Sequence, residues 1–173
     1  MTARRILVYG VTGSGKSTAA ARIAAALALP YVACDDLAWQ PGWVATDDDT
    51  LRSALAALAA TDAWVIDANY RAGRDLVQPR IELVVGMDYP RWLSLWRLFR
   101  RTVSRIVRRT PVCNGNVETW RKSFLDGDSI LVWHFRSFAR KRRELAEWSS
   151  GPDGPRTLVF RRPRDLEAWI SRL

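Results

Sequence analysis

The segment Gly10-Val-Thr-Gly-Ser-Gly15-Lys16-Ser17 constrains this chain more than any other feature. It fits G-x-x-x-x-G-K-[ST] at every fixed position. It follows Arg5-Ile-Leu-Val-Tyr9, an apolar run of the kind buried on both faces of a parallel sheet. It opens the Ala-rich segment 17–29, which favours helix until Pro30 stops it. In that setting glycines aim successive backbone N–H groups at a polyphosphate, and the helix N-terminus adds a positive dipole end. Gly10, Thr12, Gly13, Ser14, Gly15, Lys16, Ser17 and Thr18 are therefore the nucleotide-binding candidates. Lys16 is assigned to the β- and γ-phosphates and the Ser17 hydroxyl to Mg²⁺.

The rest of the chain alternates in the same way. Further strands are expected at 31–34, 63–67, 81–87 and 158–160, and helices at 47–60, 90–109, 128–148 and 164–173. Thr46 and Asp49 have capping-box-like spacing ahead of the 47–60 helix. Strands alternating with helices imply a parallel α/β sheet covered on both sides. Ligands in such sheets bind beyond the carboxyl ends of the strands. Asp67 ends the third strand and is the expected partner of Ser17 at magnesium. Asp35 and Asp36 follow the second strand and are candidates to hold a substrate hydroxyl or to act as its base. Asp88 reads as a turn or cap residue, and 110–127 as a linker or mobile stretch.

Charge is divided unevenly along the chain. The whole carries +9, but residues 1–90 hold 8 basic and 10 acidic side chains, whereas 91–173 hold 19 and 8. On a helical wheel of 90–109, Trp92, Leu95, Trp96, Phe99, Val103 and Ile106 share one arc and Arg97, Arg101, Arg105 and Arg108 the other. The apolar arc is expected to face the core and the guanidinium arc to clamp a phosphoryl group. In 128–148, Leu131, Phe135, Phe138 and Leu145 form the expected core stripe, with Arg136, Arg140 and Arg143 away from it. His134 borders the stripe and reads as a packed histidine. Trp39 and Trp43 are expected to wall a substrate pocket. Two cysteines are too few for a disulfide framework or a four-ligand zinc site, and no apolar run has the length of a membrane span. The chain is thus expected to be cytoplasmic, as a monomer or homodimer.

With these motifs in order, the chain resembles the adenylate-kinase-like branch of P-loop kinases. It is similar in particular to the small bacterial proteins called DNA topology modulation proteins. The resemblance rests on Gly10–Thr18, Asp36-Leu-Ala-Trp39-Gln-Pro-Gly-Trp43, Ile66-Asp67-Ala-Asn69-Tyr70 and Asp88-Tyr-Pro-Arg-Trp92. Ala68 stands where relatives carry glycine, and the Asp-Gly-Phe-Pro-Arg pattern of adenylate kinases is absent. The resemblance implies a three-layer P-loop NTPase fold with a five-stranded parallel sheet in the order 2-3-1-4-5. It also implies a single domain, with a core at 1–90 and 156–173 and an Arg-rich helical lid at about 97–148. Arg105 would pack on the donor base and Arg109 contact phosphates, with Arg136 and Arg140 completing the clamp. Asp35, Asp36, Trp39, Trp43, Asn69 and Arg71 would bind the acceptor.

The implied activity is ATP- and Mg²⁺-dependent transfer of a γ-phosphoryl group to a small molecule, nucleotides included. A nucleotide-regulated DNA-binding protein is the second reading, carried by the basic half.

Overall fold

The computed structural model describes residues 3–125, 129–151 and 154–173. In chain order its elements are β1 (Arg5–Gly10), α1 (Lys16–Leu27), β2 (Tyr31–Val32), α2 (Cys34–Ala38), β3 (Trp39–Gln40), β4 (Val44–Ala45) and α3 (Asp48–Ala60). They continue with β5 (Trp64–Ile66), α4 (Arg74–Val77), β6 (Leu83–Met87), α5 (Arg91–Arg108), α6 (Ile130–Ser150), β7 (Arg156–Phe160) and α7 (Pro163–Ile170). The expected helix start at 128 and part of the 151–155 turn lie outside the described residues.

Five strands form one parallel sheet in the order β2-β5-β1-β6-β7. This is the expected 2-3-1-4-5 order, renumbered because a short antiparallel hairpin, β3–β4, intervenes. β1 is central because its residues from Ile6 onward are buried on both faces. It aligns Ile6 with Val65 of β5 and Leu83 of β6. Ile6, Val8, Val65 and Val85 pack on one face under α1 and α7; Leu7, Tyr9, Ile66 and Val84 pack on the other with α3 and α6. Among the described residues no helix is long and apolar enough to cross a membrane.

Local differences from the expected elements have side-chain causes. The second strand ends at Val32, and Cys34–Ala38 turns into a helix whose first N–H, that of Cys34, donates to Asp67 Oδ1 at 3.1 Å. The cap of α3 is Asp47, which accepts from Thr50 N at 2.9 Å. The Thr46 hydroxyl is occupied elsewhere, donating to the Leu37 carbonyl. Asp88 is paired with Arg142 at 2.8 Å.

The orientation of α5 corrects the sequence reading. Its buried line is Ser94, Leu98 and Thr102, while Trp92 is 70% exposed and Trp96 54%. The helix crosses the phosphate loop, and close approach there selects the narrow face with small residues over the bulky aromatic arc. Phe99, also exposed, stacks on Trp96 and meets Phe124 edge-on, 5.8 Å between centroids. In α6, Phe138 and Leu145 are buried as expected, but Phe135 is exposed and His134 and Ser137 take the inner positions. The buried His134 ring meets Ser94 Oγ at 2.9 Å, tying α6 to α5.

Candidate active site

The phosphate loop occupies the turn from β1 into α1. Gly13 has φ +83°, and a Cβ there would lie 2.4 Å from the Ser94 carbonyl oxygen. Gly15, at φ +98°, caps α1 without a side-chain acceptor, so the first N–H groups of the helix are left for an anion. Arg97 reaches down from α5 and donates to the Ser14 carbonyl at 3.3 Å. Ser17 and Thr18 are exposed beside the loop, and Thr12 is half-buried.

Lys16 Nζ donates to the Val11 carbonyl at 3.1 Å. Burial pushes its pKa down, against the pull of the Asp35 and Asp67 carboxylates. Asp67 is buried at the end of β5, where Oδ1 accepts from Cys34 N and Oδ2 from the Tyr31 hydroxyl at 3.0 Å. Tyr31 also lies within electrostatic reach of Ser17, so one phenol stands near both side chains expected at magnesium. Burial, followed by the Asp67 charge, raises the Tyr31 pKa and keeps it a donor. Burial likewise raises the Cys34 thiol to about 12, which removes it as a nucleophile.

Among the described residues no group of three or more His, Cys, Asp or Glu side chains is arranged to hold a metal by itself. The donor set instead suits an ion that arrives on a polyphosphate and takes one hydroxyl, Ser17, with Asp67 behind it.

Asp35, on α2, is exposed and accepts from the Tyr70 hydroxyl at 2.5 Å. It lies within electrostatic reach of Lys16 and Arg101. The Asn69 amide has neither its oxygen nor its nitrogen bonded, and Arg101 Nε is also buried without a partner. Buried polar atoms left without partners are points where a polar ligand or water completes the bonding.

The remaining candidates divide. Trp39 and Trp43 form an edge-on pair at 5.9 Å, but the Trp43 indole N–H is used to hold the Val117 carbonyl. Asn114 donates to the Asp36 and Trp39 carbonyls, and Asn116 donates to that of Gln40 and accepts from Trp43 N. The 111–118 segment, expected to be a linker, is thereby fastened to the β3–β4 hairpin. Arg105 pairs with the buried Glu118 at 3.1 Å. Arg109 is exposed at the far end of α5, Arg71 is exposed beyond β5, and Arg136 is exposed on α6. Arg140 lies over the Trp133 ring at 5.7 Å.

Two groups at the site were not singled out from sequence, Tyr31 and Lys141, whereas Arg97 and Arg101 belong to the arc expected to clamp a phosphoryl group. Lys141 Nζ donates to the Gly10 carbonyl at 3.2 Å. Its signal was composition, since it is one of three lysines beside 24 arginines.

No family model matches the chain, and no curated protein matches it by sequence. Solved structures do. A gluconokinase from Sinorhizobium meliloti 1021 is similar at TM-score 0.54 and 21% identity, covering 98% of this chain and 92% of that one. A shikimate kinase from Acinetobacter baumannii, in complex with shikimate, is similar at 0.54 and 18%, covering 99% and 92%. A sugar kinase from Janibacter sp. HTCC2649 is similar at 0.53 and 21%, covering 99% and 92%. The fold is that of the P-loop kinases. In a P-loop kinase sheet of this order, ligands lie beyond the carboxyl ends of the strands, where Lys16, Asp35, Asp67 and Lys141 stand in this chain.

Proposed function

We propose that this protein is an ATP-dependent phosphotransferase of the adenylate-kinase-like type, acting on a small hydroxyl-bearing molecule. The observation that carries the reading is the meeting of Lys16, Asp35 and Asp67 at the uncapped N-terminus of α1. The loop amides and Lys16 bind the β- and γ-phosphates, and Arg97 and Arg101 add positive charge from above. Ser17 and Asp67 would hold the magnesium, which neutralises charge on the phosphates. Asp35 orients the acceptor hydroxyl and takes its proton. The acceptor oxygen forms a bond to the γ-phosphorus as the bond from that phosphorus to the β–γ bridging oxygen breaks, releasing ADP.

The three kinases similar in fold act, by their names, on gluconate, a sugar and shikimate, which supports a small-molecule acceptor. A soluble cytoplasmic enzyme, monomeric or homodimeric, fits this reading. The test is ADP release with an acceptor panel: Lys16→Ala is expected to lose transfer and most nucleotide affinity. Turnover like the wild type in that variant overturns the proposal.

The second reading, a nucleotide-regulated DNA-binding protein, draws on one observation. The outer face of α5 exposes Trp92 and Trp96, with Arg100 lying 5.9 Å from the Trp96 ring.

A further inference from the structure

The cleft holds more positive charge than recognition of a triphosphate and a hydroxyl requires. Lys16, Arg101 and Lys141 all lie within electrostatic reach of Asp35. Asp67, the other carboxylate, is engaged by Tyr31 and Cys34.

Lys141 is held in place by an unusual support. It is carried by α6 and donates to the carbonyl of Gly10, the first residue of the phosphate loop. Its ammonium stands 5.3 Å from the centre of the Tyr9 ring. The Tyr9 hydroxyl donates to Glu144, one turn along α6, and Glu144 accepts from Arg74 of α4 at 3.4 Å. Glu144 is therefore spent on Tyr9 and Arg74. Among the described residues no carboxylate lies within ion-pair distance of Lys141. This half-buried lysine has a carbonyl and a ring face as partners but no carboxylate, which leaves its ammonium charge to a bound anion.

We propose that Lys141 is the residue that selects the acceptor, which carries a carboxylate or phosphate group held by Lys141 with Arg101 while its hydroxyl meets Asp35. The inference rests on the phosphotransferase reading and names its substrate class. The unpartnered Arg101 Nε and Asn69 amide supply further bonds to the same ligand. A neutral acceptor leaves the second and third cations unopposed in a closing cleft; an anionic one satisfies them.

The environment of Lys141 adds a pH signature. Burial, reinforced by Lys16 and Arg140 and opposed by Asp35 and Glu144, pushes its pKa down to about 7. The ammonium form that binds an anion is thus lost as pH rises through neutrality. The value of kcat/KM for the acceptor falls above that point, since this ratio reports the free enzyme.

The test uses the full chain with ATP and Mg²⁺ and matched acceptors: gluconate and other hydroxy carboxylates, AMP and other phosphate monoesters, and sorbitol and adenosine as their neutral counterparts. Binding is read by calorimetry and transfer by ADP release. Anions of one of the two kinds are expected to bind and react, and which kind identifies the source of the charge. Lys141→Gln is expected to raise the acceptor KM by about 30-fold, in line with loss of one charge-assisted hydrogen bond. It leaves the KM for ATP within about twofold, and Lys141→Arg restores acceptor binding while flattening the pH limb. A merely structural Lys141 would shift the ATP KM equally. Efficient phosphorylation of a neutral acceptor, or failure of every anion in the panel to bind, overturns this proposal. The neutral-acceptor result leaves the kinase reading standing, whereas absence of ADP release with all acceptors counts against that reading.

Discussion

The Tyr31 hydroxyl donates to Asp67 Oδ2 at 3.0 Å, within electrostatic reach of Ser17. One of the two residues expected to serve magnesium is thus held by a third, from the edge strand β2. Tyr31→Phe leaves the ring's packing and removes the bond, stranding one oxygen of a buried carboxylate. A hydrogen bond to a charged group is worth roughly 1.5–3 kcal/mol. The expected result is a raised Mg²⁺ requirement and about a 10-fold lower kcat, measured by ADP release across a magnesium titration. An unchanged magnesium dependence would separate Tyr31 from the metal.

Gly13→Ala tests how closely α5 is seated on the loop. The φ of +83° disfavours any side chain, and the new methyl would meet the Ser94 carbonyl and Leu98 Cβ at 2.4 and 2.7 Å. Either the loop or α5 must move, so the variant is expected to lose about 2 kcal/mol or more of stability along with nucleotide affinity. Chemical denaturation with and without ATP reads both.

The contrast between Gly13 and Trp92 shows what was legible beforehand. The phosphate loop is a local device: its glycines, lysine and serine act through their own backbone turn, so the motif carries its geometry with it. The sheet order followed from alternation of buried strands and helices. Which face of α5 turns inward is not local. The wheel showed an aromatic arc and an arginine arc, and hydrophobicity favours the first; contact with Gly13 admits only the line Ser94–Leu98–Thr102. Lys141 was hidden for the same reason, since nothing near it in the chain says that α6 returns to the end of β1.

His134 is fully buried, and with the Ser94 hydroxyl donating to the Arg91 carbonyl, its Nε2–H donates to Ser94. Burial first, then Arg91 and Lys16, lowers its pKa below 6.5. The folded state therefore keeps it neutral while the unfolded chain takes up a proton. Its share of stability is present above pH 6.5 and lost as pH falls through and below that value. Urea midpoints at pH 7.5 and 5 are expected to differ less for His134→Gln than for the wild type. An equal difference would mean the acid sensitivity lies in the carboxylates.

Asn116 is 3% exposed and makes three bonds: to the Gln40 and Cys113 carbonyls and from Trp43 N. Asn116→Ala leaves all three backbone groups unsatisfied, and releases the 111–118 segment from the β3–β4 hairpin. The expected loss is about 2 kcal/mol, with faster proteolytic cleavage in 111–118 than elsewhere. Because Arg105 reaches Glu118 in the same segment, nucleotide affinity should fall too. Cleavage at the wild-type rate would show that the hairpin is held by other contacts.

The second reading of the basic half makes a separate prediction. Arginines that neutralise DNA phosphates release counterions, so affinity for random duplex drops steeply with salt. If the outer face of α5 is such a surface, Arg100→Ala together with Trp96→Ala weakens DNA retention and leaves ADP release intact. The kinase reading expects the reverse partition. Arg97→Ala and Arg101→Ala, on the face turned to the phosphate loop, impair transfer, while any residual DNA binding is removed by salt and indifferent to ATP. The two faces belong to one helix and their residues are five or fewer apart, so the paired variants compare function at nearly constant charge. Strong, salt-sensitive DNA binding that depends on Trp96 and Arg100 would restore nucleic acid as a partner; its absence leaves the arginines of α5 to the phosphoryl group.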